Sequence, residues 1–308
     1  MLNQNVLLTC NLNLKLDTVK KNIWITSTAR KIDFTDIEAA TMLLMKWGFD
    51  YKISKTIGLE DRQFAGTDDE RAAEFQYAMD NPDIDAIWCA RGGYGTVRII
   101  DKLDFTGFIK NPKPIIGYSD VTVLHSHLHT LGLTSIHATM PINVKKNTIE
   151  ALHSLKTALN GDKLQYEIRS SKENRSGQGN GRLVGGNLSI LYSLLGSGSS
   201  IDTDGKILFL EDLDEYLYHI DRMFMNIKRN GYFDNLSGLV VGSFTDIKDN
   251  TVPYGKTVKE IIIDVTSEYN FPIVFDFPAG HIDDNNTLIM GQRVNLTVNK
   301  TISKLEFL

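Results

Sequence analysis

Short apolar runs alternate with helix-period segments over the first 132 residues, and this constrains the fold more than any other feature. "NIWITSTA" (22–29), "YKISKTI" (51–57), "DAIWCA" (85–90) and "KPIIGYS" (113–119) read as short strands. Between and after them, "DFTDIEAATMLLMKWGF" (33–49), "TDDERAAEFQYAMDNPD" (67–83), the start of "TVRIIDKLDFTGFIKN" (96–111) and "DVTVLHSHLHTLG" (120–132) read as helices. Gly48 stops the first helix, and Thr67 followed by carboxylates caps the second. Repeated strand–helix units predict a parallel sheet with helices on both faces.

The pattern then changes. "SSKENRSGQGNGR" (170–182) is polar, glycine-rich and aperiodic, and reads as a linker or exposed loop. The remainder carries more strands and ends in a β-rich stretch. The expected organisation is an α/β domain over residues 1–150, a linker over 151–182 and a β-rich domain over 183–308. The net charge of -5, with no stripe of Lys and Arg, gives no reason to expect a nucleic-acid partner. No apolar run approaches the roughly 18 residues of a membrane helix. The N-terminal "LLTC" lacks the basic region of a signal peptide, and its apolar stretch is short, so a cytoplasmic protein is expected. Cys10 and Cys89 form no CxxC or zinc spacing, and Cys89 reads as a small core residue.

In an open α/β sheet, function gathers at the carboxyl ends of the strands. Two such ends stand out. At the corner "GYSD", Ser119 is either a helix N-cap or a nucleophile pushed out of the sheet. The loop "RGGYG" (91–95) is a plain turn, a phosphate cradle or, if Ser119 is the nucleophile, part of an oxyanion hole. A phosphate cradle lacks both glycine patterns that would support it. In the oxyanion reading, amides of this loop and of Asp120 face the developing charge.

A nucleophilic serine needs a base, and a histidine base needs an orienting carboxylate. In "HSHLH", His125 and His129 share a helix face while His127 points away, so a three-ligand metal site is not expected. His219 falls within a helical segment, whereas His281 lies on a loop between strands, freer to serve a site. In "KILFLEDLDE", alternation puts Ile207, Phe209 and Glu211 on one strand face and Asp212 on the other. A solvated turn explains these acids equally well. The order Ser119, Glu211, His281 also occurs in α/β-hydrolases, although Val121 replaces the second glycine of their nucleophile motif.

Together, "RGGYGTVRIIDKLDF", "NPKPIIGYSDVTVLH", "GRLVGGNLSILYSLLGS", "ILFLEDLDEYLYHIDRM" and "AGHIDDNNTLIMG" resemble the LD-carboxypeptidase family of serine peptidases, which includes microcin immunity peptidases. The resemblance implies a Rossmann-like N-terminal domain carrying the nucleophile Ser119, and a β-rich C-terminal domain carrying Glu211 and His281. It matches the oxyanion amides to Gly93 and Asp120. It implies hydrolysis of the amide bond between an L-centre and a terminal D-alanine in muropeptides, with no metal or cofactor, and a homodimer. Two departures are Met290, where the family usually has proline, and a long segment before Asn22. Two other functions are weighed. One is an immunity-type peptidase cleaving an aminoacyl-nucleotide toxin, which would need an aromatic platform. Trp24, Trp47 and Trp88 all fall within predicted first-half elements, which favours muropeptides, though tyrosines could substitute. The other is a non-catalytic small-molecule binding protein. A carboxypeptidase must also recognise a chain end. Arg91, entering the glycine loop, is expected either to pair with the substrate carboxylate or to make a structural contact.

Overall fold

The computed structural model describes residues 20–308. Cys10 and the "LLTC" segment lie outside the described residues. The first half runs β1 (Asn22–Thr26), α1 (Phe34–Trp47), β2 (Asp50–Ile53), α2 (Asp68–Asp80), β3 (Ala86–Cys89), α3 (Thr106–Lys110), β4 (Ile115–Gly117), α4 (Thr122–Thr130), β5 (Ser135–His137) and α5 (Ile149–Asn160). Gly48 closes α1 in the left-handed region, at φ +82°. Thr67 and Glu70 cap α2 reciprocally, the Thr67 amide donating to Glu70 Oε2 over 2.8 Å.

The first-half strands pair in parallel in the order β5-β4-β3-β1-β2. Both faces are buried, as the continuous apolar runs require. Ile23, Ile25, Trp88 and Ile116 pack against Ile37 and Leu44 of α1 and Leu155 of α5. Trp24, Ile87 and Ile115 pack on the other face, against Phe75 of α2, Phe108 of α3 and Leu128 of α4. Ile23, Ile25, Ile115 and Ile116 are fully buried, and each contributes about 1.5–3 kcal/mol by leaving water.

The second half runs β6 (Gln165–Arg169), β7 (Gly177–Asn187), α6 (Leu188–Leu194), β8 (Ile207–Leu213), α7 (Leu217–Arg229), β9 (Gly238–Thr245), α8 (Val258–Val265), β10 (Ile273–Val274), β11 (Leu288–Met290), β12 (Arg293–Val298) and β13 (Ile302–Phe307). Its seven-stranded sheet has the order β10-β9-β8-β7-β12-β13-β6. β7 through β10 are parallel, and β12, β13 and β6 complete the sheet antiparallel. The architecture is therefore α/β, with a Rossmann-like N-terminal part and a β-rich C-terminal part. Among the described residues, no helix is long and apolar enough to cross a membrane.

Three features differ from the sequence reading. The expected linker over 151–182 holds most of α5, all of β6 and the first half of β7. Its glycines serve close backbone approach rather than flexibility. A Cβ at Gly179 would sit 2.0 Å from the Ser237 carbonyl oxygen, and one at Gly181 would sit 2.6 Å from that of Gly205. The segment 96–111 forms two short 3-10 turns before the five-residue α3, which starts where the Asp104 carboxylate accepts from the Thr106 amide (2.8 Å). Finally, β11 leaves the second half and pairs antiparallel with β5, becoming the edge of the first sheet.

Candidate active site

β4 ends at Gly117, and Ser119 follows with φ +62°, a left-handed conformation that serine adopts at a cost of about 1–3 kcal/mol. The strain belongs to a sharp strand-to-helix corner. Ser119–Val121 form a 3-10 turn that runs into α4, so the positive end of this helical run lies at the serine. The glycine loop abuts it. A Cβ on Gly92 would lie 3.1 Å from Ser119 Oγ and 3.3 Å from the Asp120 amide nitrogen. Among the described residues, neither the Gly93 nor the Asp120 amide has an acceptor. Both remain able to donate to a ligand.

The loop is fixed from behind. The buried Asp120 carboxylate accepts from the Thr96 amide (2.9 Å). Arg71, fully buried, donates to the Gly95 carbonyl (3.0 Å). Burial raises the Asp120 pKa, while hydrogen bonds from Thr96 and Gly95 and the charge of Arg71 act against that rise.

The second half contributes a carboxylate and an imidazole. Glu211, at the end of β8, is fully buried, and its Oε2 lies 2.6 Å from His281 Nδ1. Its Oε1 accepts from Asn187 Nδ2 at 3.3 Å. Gly280 makes this approach possible, because a Cβ there would lie 2.9 Å from Glu211 Oε2 and 2.4 Å from Ser243 Oγ. Burial lowers the His281 pKa, but the charge and hydrogen bond of Glu211, helped by Asp212, outweigh it and leave the imidazole above its ordinary value. With Nδ1 donating to Glu211, Nε2 is the proton acceptor. The Tyr118 ring packs against the imidazole, centroids 4.8 Å apart, and joins His281 to the Ser119 corner. Ser119 Oγ itself makes no side-chain hydrogen bond among the described residues, and such contacts commonly tighten only with substrate bound.

Asp212 points elsewhere, as the alternation predicts. It accepts from Asn187 Nδ2 and from the Ser189 and Leu213 amides. Burial, then the charge of Glu211, push its pKa up to about 7.

The other histidines are dispersed. His125 is buried between Ser135 Oγ (2.7 Å) and the Gly117 carbonyl (2.9 Å), and burial pushes its pKa down to about 4. His127 meets Ser199 Oγ (3.0 Å), and His219 pairs with Glu215 (2.6 Å). Arg91 does not stand free, since its Nη1 donates to the Lys31 carbonyl (3.0 Å).

Sequence reasoning missed several supports. The Asn187 amide donates to Thr122 Oγ1 on α4 (3.0 Å), so a single residue touches both the serine's helix and Glu211. Asn285 Oδ1 accepts from the Gly280 amide (2.8 Å) and meets His137 Nε2 (3.2 Å), which pins the His281 loop to β5. An Asn closing "VGGN" ahead of a helical run was the available signal for the first. No local signal marks the second, which joins residues 148 apart.

A strained serine at a strand–helix corner, beside unpartnered amides and next to a tyrosine that packs on a carboxylate-bound imidazole, fits a two-domain α/β hydrolase of the serine type. Residues 23–138 match the LD-carboxypeptidase N-terminal domain and residues 180–296 the LD-carboxypeptidase C-terminal domain. The chain belongs to the LD-carboxypeptidase family. It is 32% identical to the probable murein peptide carboxypeptidase of Bacillus subtilis, covering 94% of each chain. It is 28% identical to the microcin C7 self-immunity protein MccF of Escherichia coli, over 91% of this chain and 90% of that one. The crystal structure of muramoyltetrapeptide carboxypeptidase from Oxalobacter formigenes superposes with a TM-score of 0.85 at 26% identity, covering 93% of this chain and 98% of that one.

Proposed function

We propose that the protein removes a terminal D-alanine from muropeptides, by hydrolysing its bond to the preceding L-centre through an acyl-enzyme on Ser119. The observation that carries this reading is the pairing of buried Glu211 on β8 with the partly buried His281, 2.6 Å apart, where the His281 ring also packs against Tyr118 beside Ser119. His281 Nε2 takes the Ser119 proton as Oγ bonds to the carbonyl carbon. The Gly93 and Asp120 amides hold the resulting oxyanion. His281 returns the proton to the departing amine, and the C–N bond breaks. Water, deprotonated by His281, then attacks the ester, and the serine leaves with the proton.

Murein peptides are favoured over aminoacyl nucleotides by the higher identity to the murein peptide carboxypeptidase. The tryptophans point the same way, because Trp24 and Trp88 are buried and Trp47 packs against the core away from the site. A cytoplasmic location, expected from the N-terminal sequence, and a homodimer, implied by the family resemblance, belong to the same reading. Sedimentation of the purified protein tests the dimer.

The substrate test is mass spectrometry after incubation with a defined tetrapeptide ending in an L–D bond. Loss of one alanine residue is expected. An intact tetrapeptide alongside a cleaved aminoacyl sulfamoyl adenosine would replace this reading with the immunity-type one.

A further inference from the structure

Arg30, one turn beyond β1, is exposed and lies across the glycine loop. A Cβ on Gly93 would sit 2.2 Å from Arg30 Cδ and 2.7 Å from Cγ, so the aliphatic stem rests on the glycine itself. Gly92, one residue earlier, leaves no spare room beside Ser119, since a Cβ there would lie 3.1 Å from Ser119 Oγ. Successive residues of one loop thus touch the serine and the arginine. Among the described residues, the Arg30 guanidinium forms no ion pair and no hydrogen bond, although neighbouring Lys31 pairs with Glu60 (2.6 Å) and Arg62 with Asp61 (3.2 Å). The turn that carries it is braced. Ser27 Oγ donates to the Arg30 carbonyl (2.9 Å), and Arg91 donates to that of Lys31 (3.0 Å).

We propose that Arg30 binds the terminal carboxylate of the substrate, and that Arg91 is a positioning residue that holds the turn presenting it. The inference rests on the hydrolytic reading above. An uncompensated guanidinium offers a planar fork that fits a carboxylate bidentately. The free amides of Gly93 and Asp120 and the start of the helical run add the same sign of potential. The loop order is consistent with this, since adjacent loop residues lie against Ser119 and the Arg30 stem. A terminal carboxylate belongs to the residue just beyond the scissile carbonyl, and consecutive residues are about 3.8 Å apart in the substrate, as in the Gly92–Gly93 step. An internal peptide bond presents no charge at that place, so the subsite selects chain ends.

The test measures calorimetric binding of the tetrapeptide acid and of its C-terminal amide to Ser119→Ala protein, with and without Arg30→Gln. Wild-type turnover of the acid is followed in parallel. The acid is expected to bind about 10–100-fold more tightly than the amide, which corresponds to one charge-assisted hydrogen-bonded pair. Arg30→Gln should bring the two together. If Arg30→Gln does not fold, Arg30→Met decides, because it keeps an unbranched apolar stem on Gly93 but not the charge. A narrowed gap supports the subsite and an unchanged one overturns it. Equal binding of acid and amide to the parent, or a full gap in Arg30→Gln, also overturns it. Absence of turnover with an Arg30-dependent gap would remove the peptidase reading and leave the subsite standing. Absence of binding by either peptide would remove both.

Discussion

At the residue scale, the site depends on which of two adjacent acids faces the imidazole. Glu211 reaches His281, while Asp212 is occupied by Asn187 and the Ser189 and Leu213 amides. Glu211→Gln should therefore lower kcat on the order of 10³–10⁴-fold, by analogy with loss of an orienting carboxylate. Asp212→Asn should act mainly on stability, since its NH2 group would replace an oxygen that now accepts from a buried donor. Steady-state kinetics with a thermal melt separates the two, and a larger kcat loss in Asp212→Asn would reverse the assignment. The base must be neutral to accept the serine's proton, and its pKa is raised. Activity should therefore fall as pH drops through a midpoint above the ordinary imidazole value. In a slow Glu211→Gln variant, the midpoint of the kcat/KM profile should move down, because the raising charge is gone. A midpoint that stays fixed would contradict the Glu211 assignment. The pairing of Glu211 with His281 was expected only from strand alternation taken together with the family resemblance, since a solvated turn explained the acids equally well. Arg30 was not, because its relation to Ser119 exists only once β1 and β3 lie side by side.

At the scale of elements, the strand-to-helix corner and the glycine loop were readable because both are local. β7 was not, because its glycines signal a loop to a reader who cannot see the Ser237 and Gly205 backbones against them. The loop after β10 makes the sharpest demand. Gly280 has φ +116° and no room for a Cβ beside Glu211 and Ser243. Gly280→Ala should displace His281 from Glu211, lowering turnover by at least about 10²-fold, as a misplacement of about 1 Å does. It should also destabilise the fold by about 1–3 kcal/mol through strain and overpacking. Denaturant unfolding and kinetics on the same preparation check both effects. A variant with wild-type activity would show that the loop is not held as described.

At the scale of the whole molecule, the halves share more than a boundary. β11 closes the first sheet against β5. Leu183, Phe209, Val240 and Leu296 of the second half lie in one apolar cluster with Ile25, Trp88 and Ile116 of the first. Periodicity suggested an α/β part followed by a β-rich part, but not that a strand from one completes the other, since three residues of β11 carry no mark of their partner. Calorimetry should accordingly show a single cooperative unfolding transition, whereas two well-separated transitions would contradict a shared core. The same interlocking places Ser119 on one half and Glu211 and His281 on the other, around one site. That these two halves form one hydrolytic centre is tested most directly by the rate of D-alanine release from a defined L–D tetrapeptide by wild-type and Ser119→Ala protein. A drop on the order of 10⁴-fold or more, with the unfolding temperature unchanged, is the predicted result; near-normal release by folded Ser119→Ala protein would contradict it.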